Sequence, residues 1–297
     1  MSEGDGRILI LLLDTSRGMW DQLHDSEDSK QPHGAQALSK ADFFQQILLF
    51  LNTYLILQEG NKAAVFAVDG SGSHLLHLTP SLASTQAKSK QHSTQSVAEQ
   101  VLQQLLQSMA DNNGNPGHDS LPCWSAALSR ALCLIHKQQG TSASSRTEGS
   151  KPRILCINGS PDLPAQYIAT MNAIFSAQRH GVVIETCMVG TSDSAFLQQA
   201  AHITEGLYLR PRRTGALLQY LLTVFSADTY TRSFMQMPKL TGVDFRASCF
   251  CHKKTIDMGY VCSVCLSIFC QKLSECSTCG TAFSAPLQAQ PTGRIVS

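Results

Sequence analysis

The 297 residues are 43% hydrophobic and carry a formal net charge of +1. That length can bury a sizeable core and hold more than one unit, and the composition excludes a disordered chain. A charge near zero argues against nucleic-acid binding driven by the field of the whole chain, although not against a local basic patch. No apolar run reaches the roughly 18 residues of a membrane helix, and the short run at residues 8–13 lacks a cleavage site, so the expectation is a soluble intracellular protein.

In chain order, residues 7–13 read as a buried strand ending at Asp14-Thr15-Ser16. Residues 21–36 are polar and loop-like. Ser39 and Asp42 form a Ser-x-x-Asp helix start, and the apolar pattern carries that helix to about Leu57. Residues 62–68 and 73–78 are strands, paired as a hairpin across turn residues 69–72. Residues 79–95 are an exposed loop, residues 97–109 have helical spacing, and residues 111–120 break the chain. Residues 122–138 form a helix with Ala127, Leu128, Ala131, Leu134 and Ile135 on one side. Residues 140–151 are a flexible insertion. Alternation then resumes: strand 153–158, helix 162–178 with Ile168, Met171 and Phe175 on one face, strand 182–189, helix 194–203, short strand 206–209 and helix 215–225.

Continuous apolar strands separated by amphipathic helices imply a mostly parallel sheet covered on both faces. The predicted class is therefore α/β, a doubly wound sheet over residues 5–230. A linker over residues 231–244, with Pro238 and Gly242, leads to a small cysteine-rich module at residues 245–285. Residues 286–297 are expected to be a disordered tail.

Ligands of open parallel sheets bind at the carboxyl ends of strands. Asp14 and Ser16 lie at such an end. Asp-x-Ser there resembles the start of the von Willebrand A-type ion site, Asp-x-Ser-x-Ser, which a Thr from a second loop and an Asp after the fourth strand complete. In this chain Gly18 stands where the second Ser belongs and Pro122 roughly where the Thr belongs, with Ser120 displaced. Asn158 replaces the Asp. A hard divalent cation needs an oxygen-rich shell. The expectation is a degenerate site without Mg²⁺, in which Asp14 and Ser16 satisfy backbone donors.

The cysteines are unevenly spread. Cys123, Cys133, Cys156 and Cys187 are scattered, whereas Cys249, Cys251, Cys262, Cys265, Cys270, Cys276 and Cys279 crowd together. In a reducing compartment such a cluster favours metal over disulfides. Cys262-x-x-Cys265 and Cys276-x-x-Cys279 have the spacing of two knuckles completing a tetrahedral Cys₄ zinc shell. A closed shell has no open position for substrate, so this zinc is expected to be structural, with Tyr260, Val261, Phe269 and Phe283 as a small core. Cys249, Cys251, His252 and Cys270 are a candidate second site, as in a cross-braced RING pair. Against it, Cys249 and Cys251 have one intervening residue rather than two, and Cys270 has no neighbouring partner.

No catalytic constellation is visible, since both Gly-x-Ser-x-Gly and the phosphate-binding loop are absent. Arg210, Arg212 and Arg213 make a small basic patch, read as a solvated loop before a nucleic-acid or acidic-partner contact.

The degenerate A-domain, joined to "FCHKKTIDMGYVCSVCLSIFC", resembles the von Willebrand A/zinc-finger subunits (subunit 3) of general transcription and DNA-repair factor IIH. "LSRALCLIHK", "MNAIFSAQ", "LQQAAHITEGLYL" and "LLQYLLTVFSAD" are similar to that family too. The resemblance implies a nuclear, non-enzymatic core subunit in transcription initiation and nucleotide excision repair. It also implies pairing with a sister A-domain/RING subunit, help in anchoring the helicases, and a zinc finger on Cys262, Cys265, Cys276 and Cys279. Sequence-specific nucleic-acid binding and membrane association are not expected. Two alternatives stay open: a RING-like ubiquitin ligase, favoured by two zinc ions per chain, and a ligand-binding A-domain using metal at Asp14 and Ser16.

Overall fold

The computed structural model describes residues 7–20, 38–82, 121–141, 151–227, 229–237, 243, 246–252, 254–265 and 267–283. The helix expected over residues 97–109, the loop at 21–36, most of the loops at 79–95 and 140–151, Ser120, residues 238–242 and 244 of the linker, and the tail lie outside the described residues.

The chain divides into two units, Met1–Asp244 and Phe245–Ser297. In the first, the strands are β1 (Ile8–Asp14), β2 (Lys62–Asp69), β3 (Gly72–Leu78), β4 (Arg153–Asn158), β5 (Val183–Met188) and β6 (Tyr208–Leu209). They form one sheet in the order β3-β2-β1-β4-β5-β6. Every pairing is parallel except the β2–β3 hairpin. β1 lies between β2 and β4, with Leu11 opposite both Val65 and Leu155. The chain therefore reverses its winding direction beside β1, which places the crevice at the carboxyl ends of β1 and β4. This is the doubly wound arrangement expected from the strand pattern, and its strand-end crevice is where the resemblance to von Willebrand A domains put Asp14.

The apolar run of β1 is continuous because its two faces serve two cores. Leu9, Leu11 and Leu13 pack with α1 (Lys40–Leu57) through Phe43, Ile47, Phe50 and Tyr54. Ile10 and Leu12 pack with α2 (Trp124–Thr141), α3 (Tyr167–Arg179) and α4 (Ala195–Ile203). Each fully buried leucine contributes about 2 kcal/mol. Ser39 caps α1 by accepting from Asp42 N at 3.1 Å while its hydroxyl donates to Asp42 Oδ2 at 2.8 Å. Ser194 caps α4 in the same way by accepting from Leu197 N.

Three local expectations change. The helix expected from residue 162 begins at Tyr167, after a tight turn at Pro164–Gln166. Its inner face is Thr170, Ala173, Ile174 and Ala177, spaced i, i+3, i+4, i+7, and Phe175 points outward at 53% exposure. The helix expected over residues 215–225 is α5 (Leu217–Tyr220), which widens into a π turn over Leu221–Phe225, and a further short helix, α6 (Thr229–Ser233), follows it.

The second unit holds two ribbons, β7 (Ala247–Ser248) with β8 (Thr255–Ile256) and β9 (Tyr260–Val261) with β10 (Ile268–Phe269). Phe269 is fully buried among Cys262, Cys276, Phe250, Leu273 and Phe283. Tyr260 and Val261, expected in this core, are instead about half exposed (53% and 54%). A two-stranded ribbon offers them no second layer, and Phe250 and Leu273 pack against Phe269 instead.

Candidate metal centre

At the carboxyl end of β1, Asp14 is fully buried. Its Oδ1 accepts from Ser16 N (2.9 Å) and Ser16 Oγ (2.6 Å). Its Oδ2 accepts from Gly159 N (3.1 Å) and Ser160 Oγ (2.6 Å). The two hydroxyls of Ser16 and Ser160 also lie 2.8 Å apart. Burial pushes the Asp14 carboxyl above the ordinary aspartate range, while these four donors pull it back.

Asn158 explains how Ser160 reaches this position. Its Oδ1 accepts from Ser160 N at 3.0 Å and its Nδ2 donates to Ser160 O at 2.9 Å. A carboxylate at residue 158 has no proton for the second bond. Asn158 thus clamps the turn after β4 and aims the Ser160 hydroxyl at Asp14. The glycine between them is required: a Cβ on Gly159 would lie 2.3 Å from Met19 Cγ. Gly18 belongs to a helical turn at residues 17–20, and the carbonyl of buried Pro122 accepts from Gln166 Nε2. The structure therefore joins Asp14, Ser16, Asn158 and Ser160. Ser160 is the member that sequence reasoning missed.

The basic patch divides. Arg210 pairs with Asp193 at 3.4 Å and with the Thr191 carbonyl, whereas Arg212 and Arg213 are exposed.

In the second unit two groups of ligand atoms converge, each within 4.8 Å of one another: Cys262, Cys265, Cys276 and Cys279, and Cys249, Cys251, His252 and Cys270. In the first, Cys262 and Cys279 sulfurs are 3.7 Å apart and those of Cys265 and Cys276 are 3.5 Å apart. A disulfide is about 2.05 Å, whereas a tetrahedron with zinc–sulfur bonds of about 2.3 Å has edges of about 3.8 Å. The spacing fits a metal shell. Gly280, at φ +71°, turns the chain out of the second knuckle, and its N–H returns to Cys276 O at 2.9 Å.

Hydroxyls two residues on support both second cysteines, with Ser267 Oγ at 3.1 Å from Cys265 Sγ and Thr281 Oγ1 at 3.1 Å from Cys279 Sγ. The Ser267 hydroxyl and amide pull the Cys265 thiol down to about 6. Those of Thr281 lower Cys279. Thiolates are the metal-binding form. In the second group, Cys251 and Cys270 sulfurs lie 3.5 Å apart and His252 Nδ1 lies 3.1 Å from Cys270 Sγ. Both clusters can hold a metal ion.

A sequence model of the family described as "Transcription factor Tfb4" matches residues 7–280. The chain belongs to the Tfb4 family. It is 41% identical to the general transcription and DNA repair factor IIH subunit TFB4 of Arabidopsis thaliana, over 94% of this chain and 89% of that protein. It is 34% identical to the corresponding Schizosaccharomyces pombe subunit, over 93% and 89% of the two chains. Among solved structures it is similar to the TFIIH p34 N-terminal domain, with a TM-score of 0.58 and 28% identity, covering 75% of this chain and 99% of that one. The Tfb4 match spans both the Asp14–Ser160 group and the two cysteine clusters.

Proposed function

We propose that this chain is a non-catalytic structural core subunit of general transcription and DNA-repair factor IIH. It works in the nucleus, in RNA polymerase II initiation and nucleotide excision repair. The observation that carries this reading is the Tfb4 match over residues 7–280, with relatives named as subunits of that factor across nine-tenths of the chain. Its chief partner is the sister A-domain/RING subunit, and through it the chain helps anchor the helicases. Two chemical features support a scaffold. The Asp14 carboxylate is saturated by four protein donors and buried, so its edge closes without a divalent ion. Cys262, Cys265, Cys276 and Cys279 form a closed shell for one structural zinc, whose binding free energy is folding free energy.

The test is affinity purification of the tagged full chain from nuclear extract, followed by mass spectrometry. Recovery of the helicase-containing assembly is expected. Recovery of the chain alone, or with ubiquitin-conjugating enzymes, overturns the reading. Zinc stoichiometry is a poor guide to ligase activity, because two closed four-ligand shells are as inert as one. Ubiquitin-chain assembly with a panel of conjugating enzymes tests that alternative directly, and none is expected.

A further inference from the structure

We propose that the C-terminal unit is cross-braced by two zinc ions, the second held by Cys249, Cys251, His252 and Cys270. The proposal builds on the reading of Cys262, Cys265, Cys276 and Cys279 as a zinc site.

Three loops of this unit close in one way. Cys262 N donates to Ser267 O at 2.9 Å, Cys276 N to Thr281 O at 2.8 Å, and Cys249 N to Lys254 O at 2.8 Å. Each bond runs from residue i to the carbonyl of i+5. In the first two loops the second ligand is the cysteine at i+3. In the third, residue i+3 is His252. The likeness extends to the first sulfur of the loop: the N–H of Cys279 donates to Cys276 Sγ, and the N–H of His252 donates to Cys249 Sγ. Residues 249–254 are therefore a knuckle of the Cys-x-x-His type. The one-residue gap between Cys249 and Cys251, which argued against a second site, is set by an extra ligand inside an ordinary knuckle.

Cys270 completes the shell through the fold. Phe250 N donates to Ile268 O at 2.7 Å, which staples this knuckle to β10, and Cys270 follows β10 directly. That staple explains why Cys270 needs no partner near it in sequence. Cys249 is 1% exposed and takes no part in the first shell. Three thiolates and one imidazole, converging within 4.8 Å, are the tetrahedral nitrogen–sulfur set that selects zinc.

The two shells alternate along the chain. Residues 249, 251 and 252 serve the second ion, 262 and 265 the first, 270 the second, and 276 and 279 the first. Residues 262–270 thus carry ligands for both ions, so each ion orders part of the other's shell.

The test is native mass spectrometry of the full chain, counting zinc per molecule. Wild type is expected to carry two ions, and Cys270→Ser and His252→Ala one, the ion of the Cys₄ shell, which Cys279→Ser loses with or without the second. His252→Cys, which keeps a ligand at i+3, should retain two. If Cys270→Ser or His252→Ala sheds both ions by unfolding the unit, His252→Cys decides: two ions support the proposal and fewer overturn it. One ion in wild type, lost in Cys279→Ser but kept in Cys270→Ser, overturns this proposal alone. No zinc in wild type overturns it together with the Cys₄ reading. A Cys251–Cys270 disulfide in the freshly isolated protein also overturns it.

Discussion

Ser160 Oγ donates to Asp14 Oδ2 at 2.6 Å, joining two buried residues 146 positions apart. The bond fixes the turn after β4 against the end of β1, where the sheet changes its winding direction. It makes the Asp14 carboxylate a structural acceptor.

Removing that acceptor has a defined cost. Asp14→Ala leaves the four donors of Ser16, Gly159 and Ser160 without their acceptor, each orphaned buried group costing about 1–3 kcal/mol before relaxation. The variant should melt at a lower temperature in differential scanning fluorimetry, yet bind its partner subunit within a few-fold of wild type at a temperature where it is folded. Millimolar Mg²⁺ should leave the melting temperature of wild type unchanged, because a native-state ligand must stabilise by mass action. A rise with Mg²⁺ counts against the closed edge.

The same carboxyl gives a pH signature. Burial raises its native pKa above the ordinary value of 3.8, so between those two values the folded state holds more protons than the unfolded. Its contribution to stability is full below 3.8 and is lost as pH rises through the native value. Urea denaturation of wild type and Asp14→Asn across acidic pH should show wild type losing stability relative to the variant as pH increases. Comparing the two cancels the acid lability of the cysteine unit, which both share. A difference that does not change with pH refutes the assignment.

Gly190 should be nearly irreplaceable. A Cβ there would sit 2.2 Å from Gly159 O, and this obstacle is backbone that also positions a donor to Asp14. Gly190→Ala is expected to cost about 3 kcal/mol. Gly181→Ala, where a Cβ meets nothing within 4 Å but φ is +67°, should cost about 1 kcal/mol. Equal melting temperatures for the two variants would contradict this ranking.

Glu185 is fully buried in β5, with Arg153 at 3.4 Å from one carboxylate oxygen and Arg232 of α6 on the other. Glu185→Ala leaves two guanidinium groups facing an apolar gap and should cost about 3–5 kcal/mol. Because Arg232 fastens the end of the first unit, hydrogen exchange should quicken at residues 229–237 before it does in β1. Uniform loss of protection would point to global unfolding instead.

On the proposed zinc reading, Cys262→Ser should unfold the cysteine unit and leave the α/β unit intact, since a zinc held there would supply that unit's folding free energy. Limited proteolysis should cut within residues 246–283 while a fragment containing the sheet survives. Equal protection of that unit in wild type and variant would exclude Cys262 as a ligand.

The sheet was legible because strands buried on two faces leave continuous apolar runs, as in residues 8–13 and 153–158. The convergence of Cys262, Cys265, Cys276 and Cys279 was legible because the two members of each Cys-x-x-Cys pair are local to one another. What was illegible depends on contacts between distant segments. Ser160 belongs to no recognisable motif, although Asn158-Gly159-Ser160 after a buried strand is the signal that could have marked it. Cys270 looked solitary because the Phe250–Ile268 bond that brings it to His252 leaves no trace in local spacing. Phe175 lies outside the i, i+3, i+4, i+7 face of Thr170, Ala173, Ile174 and Ala177 that turns to the core, because two apolar stripes compete on this helix.

The clamp of Asn158 on Ser160 also bears on when this domain is competent. An ion-dependent A-type edge answers to the supply of divalent metal, and can be switched by it. An edge sealed by its own hydroxyls is always in one state. On the proposed reading without a divalent ion at Asp14, the surface this unit presents is available from the moment it folds, with no metal to wait for. That constancy suits a part meant to be built upon.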